Sequence, residues 1–416
     1  MIPLGSCTMK LNAASTLLPL SWPEFADIHP FAPVEQAAGY QLVFEELSEM
    51  LAQVTGFSAV SLQPNSGAQG EYAGLLTIRA YHLARGDVQR NIALIPSSAH
   101  GTNPASAVMA GMQVVVVKCD DHGNVDVEDL RAKAAQHADN LSCLMVTYPS
   151  THGVYEEAIR EITGIVHEHG GLVYMDGANM NAQVGLTSPG SIGADVCHLN
   201  LHKTFSTPHG GGGPGGCAVA AIPELLPYFP KPLVVKTESG YAFDWDRPQS
   251  IGKIKGFYGN FGILVRAYTY ILANGRNGLC QVSRDAILNA NYLKEKLKEK
   301  FTLPHKQPCM HEFVLSGNQQ KARGVSTAHI AKRMLDYGVH APTVYFPLVV
   351  PEAMMIEPTE TESRETLNSF IEIMFKIDQE SIEDPEIVKS APHTTPVGKL
   401  DEAQAARKPN LRWQPE

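Results

Sequence analysis

Five short apolar runs, at 92–95, 114–117, 144–147, 172–175 and 196–201, alternate with helix-like stretches such as 127–138 and 159–169. Strands buried on both faces read as continuous apolar runs, and each return to a parallel neighbour needs a crossover, usually a helix. The pattern therefore predicts an α/β fold with a mostly parallel mixed sheet between helices. Ahead of it a helix is expected over 35–54, where Tyr40, Val43, Phe44, Leu47, Met50, Leu51 and Val54 share one face and Gly56 supplies a stop.

After about Arg284 the texture changes. A lysine-rich helix at 285–300, a strand at 311–316, a helix at 327–337 and a long helix at 362–382 predict a smaller α+β domain. The expected division is a large domain over 1–284, a small one over 285–386 and a C-terminal arm over 387–416. That last stretch is rich in Pro, Lys and Arg with little periodicity, so it reads either as an arm packed on a neighbour or as a loose tail. No internal repeat is present.

A chain of 416 residues is long enough for two domains and a large core. Its net charge of −10 carries no basic stripe of the kind phosphate backbones require, which argues against nucleic acid. The seven cysteines are scattered, with no C-x-x-C pair to suggest zinc or a redox motif, and read as reduced thiols. No apolar run approaches the roughly 20 residues of a membrane span, and the first residues lack the basic and apolar regions of a signal peptide. A cytoplasmic location without membrane or metal is expected.

The chemistry centres on Lys203, in the run HLNLHKTF just before the glycines at 210–213, 215 and 216. An amine that attacks an aldehyde must be delivered by a rigid element into a pocket that disfavours its charged form, and lysine is the side chain whose pKa moves most readily there. Upstream, the strand-like run 172–175 ends in Asp176-Gly177, which lands a carboxylate at the carboxyl edge of the sheet, where α/β folds bind ligands. Pyridoxal phosphate needs these two partners, a lysine for its aldehyde and a carboxylate to keep the pyridine nitrogen protonated. Taken singly, each residue also reads as a solvated lysine or a simple Asp-Gly turn.

Two further segments fit. Residues 63–70, QPNSGAQG, form a polar glycine turn entering a helix, whose N–H groups with Ser66 suit a phosphate, although a capped helix start without ligand reads the same. His100, in SAHGTNP, follows the run ending at Ile95 and falls at the same sheet edge, able to stack on a cofactor ring or to stand as a surface histidine. The glycine loop lacks the Gly-Lys-Ser/Thr of a nucleotide site. His167 and His169 face different ways on a helix, poor geometry for a metal and ordinary for a solvated helix end. Asp195 with His198, or Ser206 with His209, has no nucleophile elbow to make a hydrolase.

The strings GSCTMKLN, NSGAQGEY, SAHGTNPAS, YMDGANMNAQVG, HLNLHKTFSTPHGGGGPG, FYGNFGILVRAYTYI and MIEPTETES, in order over nearly the whole chain, resemble the catalytic half of the glycine decarboxylases (P-proteins) of the glycine cleavage system. The front half reads like the long single-chain form, and the tail HTTPVGKLDEAQAARKPNLRW like a separate β subunit, to which the length also points. In that family the β subunit carries a further N-terminal segment ahead of GSCT.

The resemblance implies fold type I of the pyridoxal-phosphate enzymes, with 1–284 as cofactor-binding domain and 1–34 as its entry segment. It implies Lys203 on the cofactor aldehyde, Asp176 on the pyridinium nitrogen, and His100 over the ring. Ser66, Gly67, Ala68 and Gln69 fall near the phosphate, Asn179, His202 and Thr204 in the pocket, and Ser6 and Cys7 near its entry. The implied activity is that of glycine dehydrogenase (aminomethyl-transferring): decarboxylation of glycine, transfer of the aminomethyl group to the lipoyl arm of H-protein, and release of CO2. An α subunit is implied as partner in an α2β2-type assembly. The rivals are another fold type I amino-acid decarboxylase or transferase, for which no second carboxylate-binding Arg stands out, and a cofactor-free scaffold subunit, against which the lysine motif argues.

Overall fold

The computed structural model describes residues 1–416 except 12–13, 30–31, 210–214, 257, 414 and 416. Glycines 210–213 of the loop thus lie outside the described residues. The helix expected over 35–54 runs Ala38–Thr55 and ends at Gly56, whose φ of 73° is the left-handed cap that glycine adopts without strain. Leu47 and Leu51 on its inner face have no exposure, a burial that stabilises by about 1.5–3 kcal/mol per side chain.

The main sheet has seven strands: β1 (Ala59–Ser61), β2 (Ile92–Pro96), β3 (Gln113–Val117), β4 (Leu141–Thr147), β5 (Leu172–Gly177), β6 (Val196–Asn200) and β7 (Cys217–Ala221), in the order β1-β7-β6-β5-β4-β2-β3. The five strands from β6 to β3 are parallel, and β7 and β1 complete the sheet antiparallel. Every residue of β2, β4 and β6 is buried, as continuous apolar runs require, whereas β3 at the edge is mostly open. Two core clusters cover the two faces. A hairpin of β8 (Leu233–Thr237) and β9 (Gly240–Asp244) stands apart.

The lysine-rich helix expected from 285 begins 24 residues earlier, at Phe261, and runs to Leu297 with a break at Gly275, φ 58°. Its last turns join a separate core with Phe313, Met354, Phe370 and Met374. That core is built on an antiparallel sheet of β10 (Phe313–Ser316), β11 (Thr343–Val344) and β12 (Ala353–Ile356), in the order β10-β12-β11, covered by helices Thr327–Asp336 and Arg364–Glu383. Beyond it Asp336 accepts the backbone N–H groups of His393 and Thr394 at 2.6 and 2.8 Å. No helix among the described residues is long and apolar enough to cross a membrane.

Candidate active site

The carboxyl ends of β4, β5 and β6 open on a cavity of about 200 Å³ lined by Ser6, Gly67, Ala68, Glu71, His100, Thr147, Asp176, Asn179, His198, His202 and Lys203, among others. A larger one, about 620 Å³, lies between 120–158 and 287–314 and holds neither Lys203 nor Asp176. The smaller cavity is the chemical one because an amine, an ionised acid and a helix N-terminus meet there.

Asp176 ends β5 with its side chain buried. Asn103 Nδ2 donates to Oδ2 at 3.1 Å and the Ala178 N–H to Oδ1 at 2.9 Å. Across the ladder, His198 Nε2 lies 3.3 Å from Oδ1, within ion-pair range but not aligned as a hydrogen bond. Burial alone would raise the Asp176 pKa, but His198, the two N–H donors and the Lys203 charge outweigh it and hold the carboxyl below its ordinary value. The Tyr174 hydroxyl, 2.6 Å from His198 Nδ1, fixes the ring from the other side.

Lys203 sits in the turn just past β6, where its N–H donates to the Asn200 carbonyl at 3.0 Å. Its amine makes no hydrogen bond or ion pair with any described residue. The helix Gly67–Ala84 points its N-terminus at the same cavity and lies close on β5 and β6. A Cβ at Gly70 would come within 2.5 Å of Cys217 Sγ, and one at Gly74 within 2.5 Å of the Tyr174 ring, so only glycine permits that approach.

Of the residues expected in the pocket, Gly67, Ala68, His100, Asp176, Asn179, His202 and Lys203 line it. Ser66 and Gln69 do not: Ser66 Oγ accepts the Gln69 N–H at 3.3 Å and Gln69 Oε1 accepts the Asn65 N–H at 2.8 Å, so both side chains cap the helix. Thr204 is buried behind the cavity, its carbonyl accepting Lys10 Nζ at 2.6 Å. His100 is exposed at the mouth, Nδ1 2.8 Å from Thr102 Oγ1 and its ring edge-on to Phe346. His202 Nδ1 meets the Gly216 carbonyl at 2.9 Å, and burial pushes its pKa down to about 4.

Sequence reading missed His198, Glu71 and Asn103. His198 is found by register, on the rung opposite Asp176, and Glu71 by helical spacing, one turn past Gly67. Asp195 and His198 do not pair: Asp195 holds His167 at 2.8 Å, so His167 is an anchored residue and not the solvated helix end expected of it. Two buried groups have donor atoms within 4.8 Å of one another, Glu71 with Asp176 and His198, and Glu312 with Glu357 and His311. In both, N–H or O–H donors of the chain occupy the carboxylates.

The donor set fits pyridoxal phosphate. There is an amine with no partner among the described residues for the aldehyde, an ionised carboxylate for the ring nitrogen, and a glycine-fronted helix N-terminus for the phosphate. Asn179 Oδ1 and Asn200 Oδ1 are buried there without a hydrogen-bond partner among the described residues.

The same architecture is found in the crystal structure of glycine decarboxylase (P-protein) of the glycine cleavage system in inhibitor-bound form, with a TM-score of 0.73 at 17% identity over 90% of this chain and 85% of that one. A cysteine desulfurase from Thermococcus onnurineus gives 0.69 at 14% identity over 91% and 95%. The fold is fold type I of the pyridoxal-phosphate enzymes.

Family models match in two stretches, beta-eliminating lyase over 35–221 and the C-terminal domain of glycine dehydrogenase over 282–395. A probable glycine dehydrogenase (decarboxylating) subunit 2 of Halalkalibacterium halodurans is 54% identical over 99% of this chain and 84% of its own length. Its namesake in Listeria monocytogenes is 54% identical over 100% and 84%. The chain belongs to the family of glycine dehydrogenase (decarboxylating) subunit 2.

Proposed function

We propose that the chain is the catalytic subunit of a glycine decarboxylase, which releases CO2 from glycine and passes the aminomethyl group to the lipoyl arm of H-protein. The observation that carries this reading is the convergence of the Lys203 amine, without a partner among the described residues, and the ionised Asp176 on one cavity, in a chain 54% identical to probable glycine dehydrogenase (decarboxylating) subunits 2.

Lys203 would hold the cofactor by its aldehyde. Asp176, kept ionised by its neighbours, would hold a proton on the pyridine nitrogen. When bound, the cofactor supplies an electron sink for the pair left as the Cα–carboxylate bond of glycine breaks. His100 would lie against the ring, with Phe346 at its edge. Gly67 and Ala68 would offer N–H groups to the phosphate, with Ser66 and Gln69 keeping the helix start in shape. Asn179 brings an unsatisfied acceptor, and His202, neutral through burial, contacts the site without adding charge. Thr204 supports the lysine turn from behind.

The lipoyl acceptor makes H-protein a partner in the chemistry, and the numbering of the relatives as subunit 2 supports an α subunit beside this one. Seven unpaired cysteines suit the reducing cytoplasm. We take 1–284 as the cofactor-binding domain, 285–386 as the small domain and 387–416 as its arm.

The test is an absorbance spectrum of the purified chain with added pyridoxal phosphate, then borohydride reduction and peptide mapping. A visible band trapped on Lys203 is expected. A label on another lysine, or no band even with the α subunit supplied, would overturn the reading.

A further inference from the structure

The first ten residues run from the small-domain core to the lysine turn. The Gly5 N–H donates to the Met355 carbonyl at 3.3 Å and its carbonyl accepts Thr343 Oγ1 at 3.1 Å. Next, the Ser6 N–H and hydroxyl both donate to Glu312, at 2.5 and 3.1 Å, and the Thr8 N–H and hydroxyl both donate to Glu357, at 2.9 and 2.6 Å. Ser6 and Thr8 take φ of 60° and 46°, which persist in such residues only where surrounding bonds enforce them. Ser6 lines the Lys203 cavity.

Glu312 and Glu357 sit one residue past the Phe313–Ile356 rung of β10 and β12, so they face one another across the sheet. Neither is exposed, and their oxygens lie within 4.8 Å of each other and of a ring nitrogen of His311. Among the described residues no lysine or arginine bonds to either. His311 Nε2 lies 3.6 and 3.7 Å from the two carboxylates, but burial, with the charges of Lys203 and Lys10, pushes its pKa down to about 3 and so disfavours a compensating charge on the ring. The other groups facing the pair are Lys203, the Cys7 thiol, which burial keeps protonated, and Glu360, itself paired with Lys10 at 2.7 Å.

We propose that Glu312 and Glu357 are positioning residues that both keep their protons and, so neutralised, clamp the Ser6–Thr8 turn over the mouth of the Lys203 cavity. Two ionised carboxylates at that separation in a buried interior repel, whereas a protonated one still accepts the N–H and can turn its own proton to the hydroxyl oxygen, reversing the direction of that second bond. Burial, above all, raises both pKa values, that of Glu357 to about 7. The inference rests on the proposed function only for what the cavity does.

The isostere decides it. In glutamine the amide oxygen takes the N–H and the amide nitrogen serves the hydroxyl, so Glu312→Gln and Glu357→Gln copy the neutral acid. Hydrogen exchange at 5–10 is followed by mass spectrometry in the full-length, cofactor-free chain, corrected for intrinsic rate. We expect the two Gln variants to match the parent within about twofold, and Glu312→Ala and Glu357→Ala to exchange at least about tenfold faster. The parent turn should also loosen above about pH 7, while Glu357→Gln does not. Gln variants as open as the Ala ones would mean that ionised carboxylates hold the turn, and unaffected Ala variants would mean that other bonds do. One equivalent of a divalent cation in the purified protein, lost in Glu312→Gln, would make the trio a metal site. Each of these overturns the clamp. If the Ala variants also lose protection in β4, the Gln comparison and its pH arm still decide. No cofactor is present, so the outcome is independent of whether Lys203 binds pyridoxal phosphate.

Discussion

Asp176 and His198 occupy one rung of the β5–β6 ladder, both buried, with Oδ1 and Nε2 3.3 Å apart and the Tyr174 hydroxyl closing the far side of the imidazole. The acid is thus held ionised by a ring that is itself oriented. Tyr174→Phe removes only that hydroxyl. It should cost about 1 kcal/mol of stability and weaken pyridoxal phosphate binding about tenfold in a spectroscopic titration. An unchanged affinity would show that the ring needs no such support.

Asp176→Asn keeps the shape and the Ala178 contact but not the charge. The variant should still bind the cofactor while glycine decarboxylation, assayed as CO2 exchange with H-protein and any α subunit present, falls at least about 100-fold. Activity near that of the parent would remove Asp176 from the chemistry.

Lys203→Ala should melt within about 1 kcal/mol of the parent, because the amine has no partner among the described residues to lose. Its borohydride-trapped label should vanish along with activity, and full decarboxylation by this variant would sink the lysine assignment.

Gly74→Ala should destabilise by about 1–3 kcal/mol in a urea titration, since the added methyl meets the Tyr174 ring at 2.5 Å inside a packed core. A neutral result would mean that the helix can slide off β5 at little cost.

The pH dependence of folding follows from Glu357. Its pKa is raised from 4.5 to about 7 by burial, so the folded chain binds a proton that the unfolded chain releases. The associated stability is complete below about pH 4.5 and is lost as pH rises through about 7, by roughly one to three kcal/mol. Glu357→Gln should flatten that slope in melting temperatures taken from pH 5 to 8.

The sheet was legible where strands are buried on both faces, because β2, β4, β5 and β6 must then be continuous apolar runs. β1 and β7 escaped: Ala-Val-Ser and Cys-Ala-Val-Ala-Ala carry little strand propensity, and pairing, of β7 with β6 and of β1 with β7, makes them strands. The front of the Phe261–Leu297 helix was hidden by its glycines. In the cavity, Lys203 and Asp176 showed themselves through their neighbours in sequence. His198 needed the register. Glu357 lies 349 residues from Thr8, and no local pattern joins them.

The stitch from Lys10 to Glu360 and to the Thr204 carbonyl carries a consequence for synthesis. Protein is made from the amino end, so residues 5–10 leave the ribosome long before their partners at 312, 357 and 360 and wait for them. The central sheet can assemble long before then, but its cleft stays unroofed until residues 357 and 360 have followed. Ribosome-bound chains halted before residue 357 should therefore have strands and an open cleft, and residues 5–10, though made before the sheet, close that cleft after it.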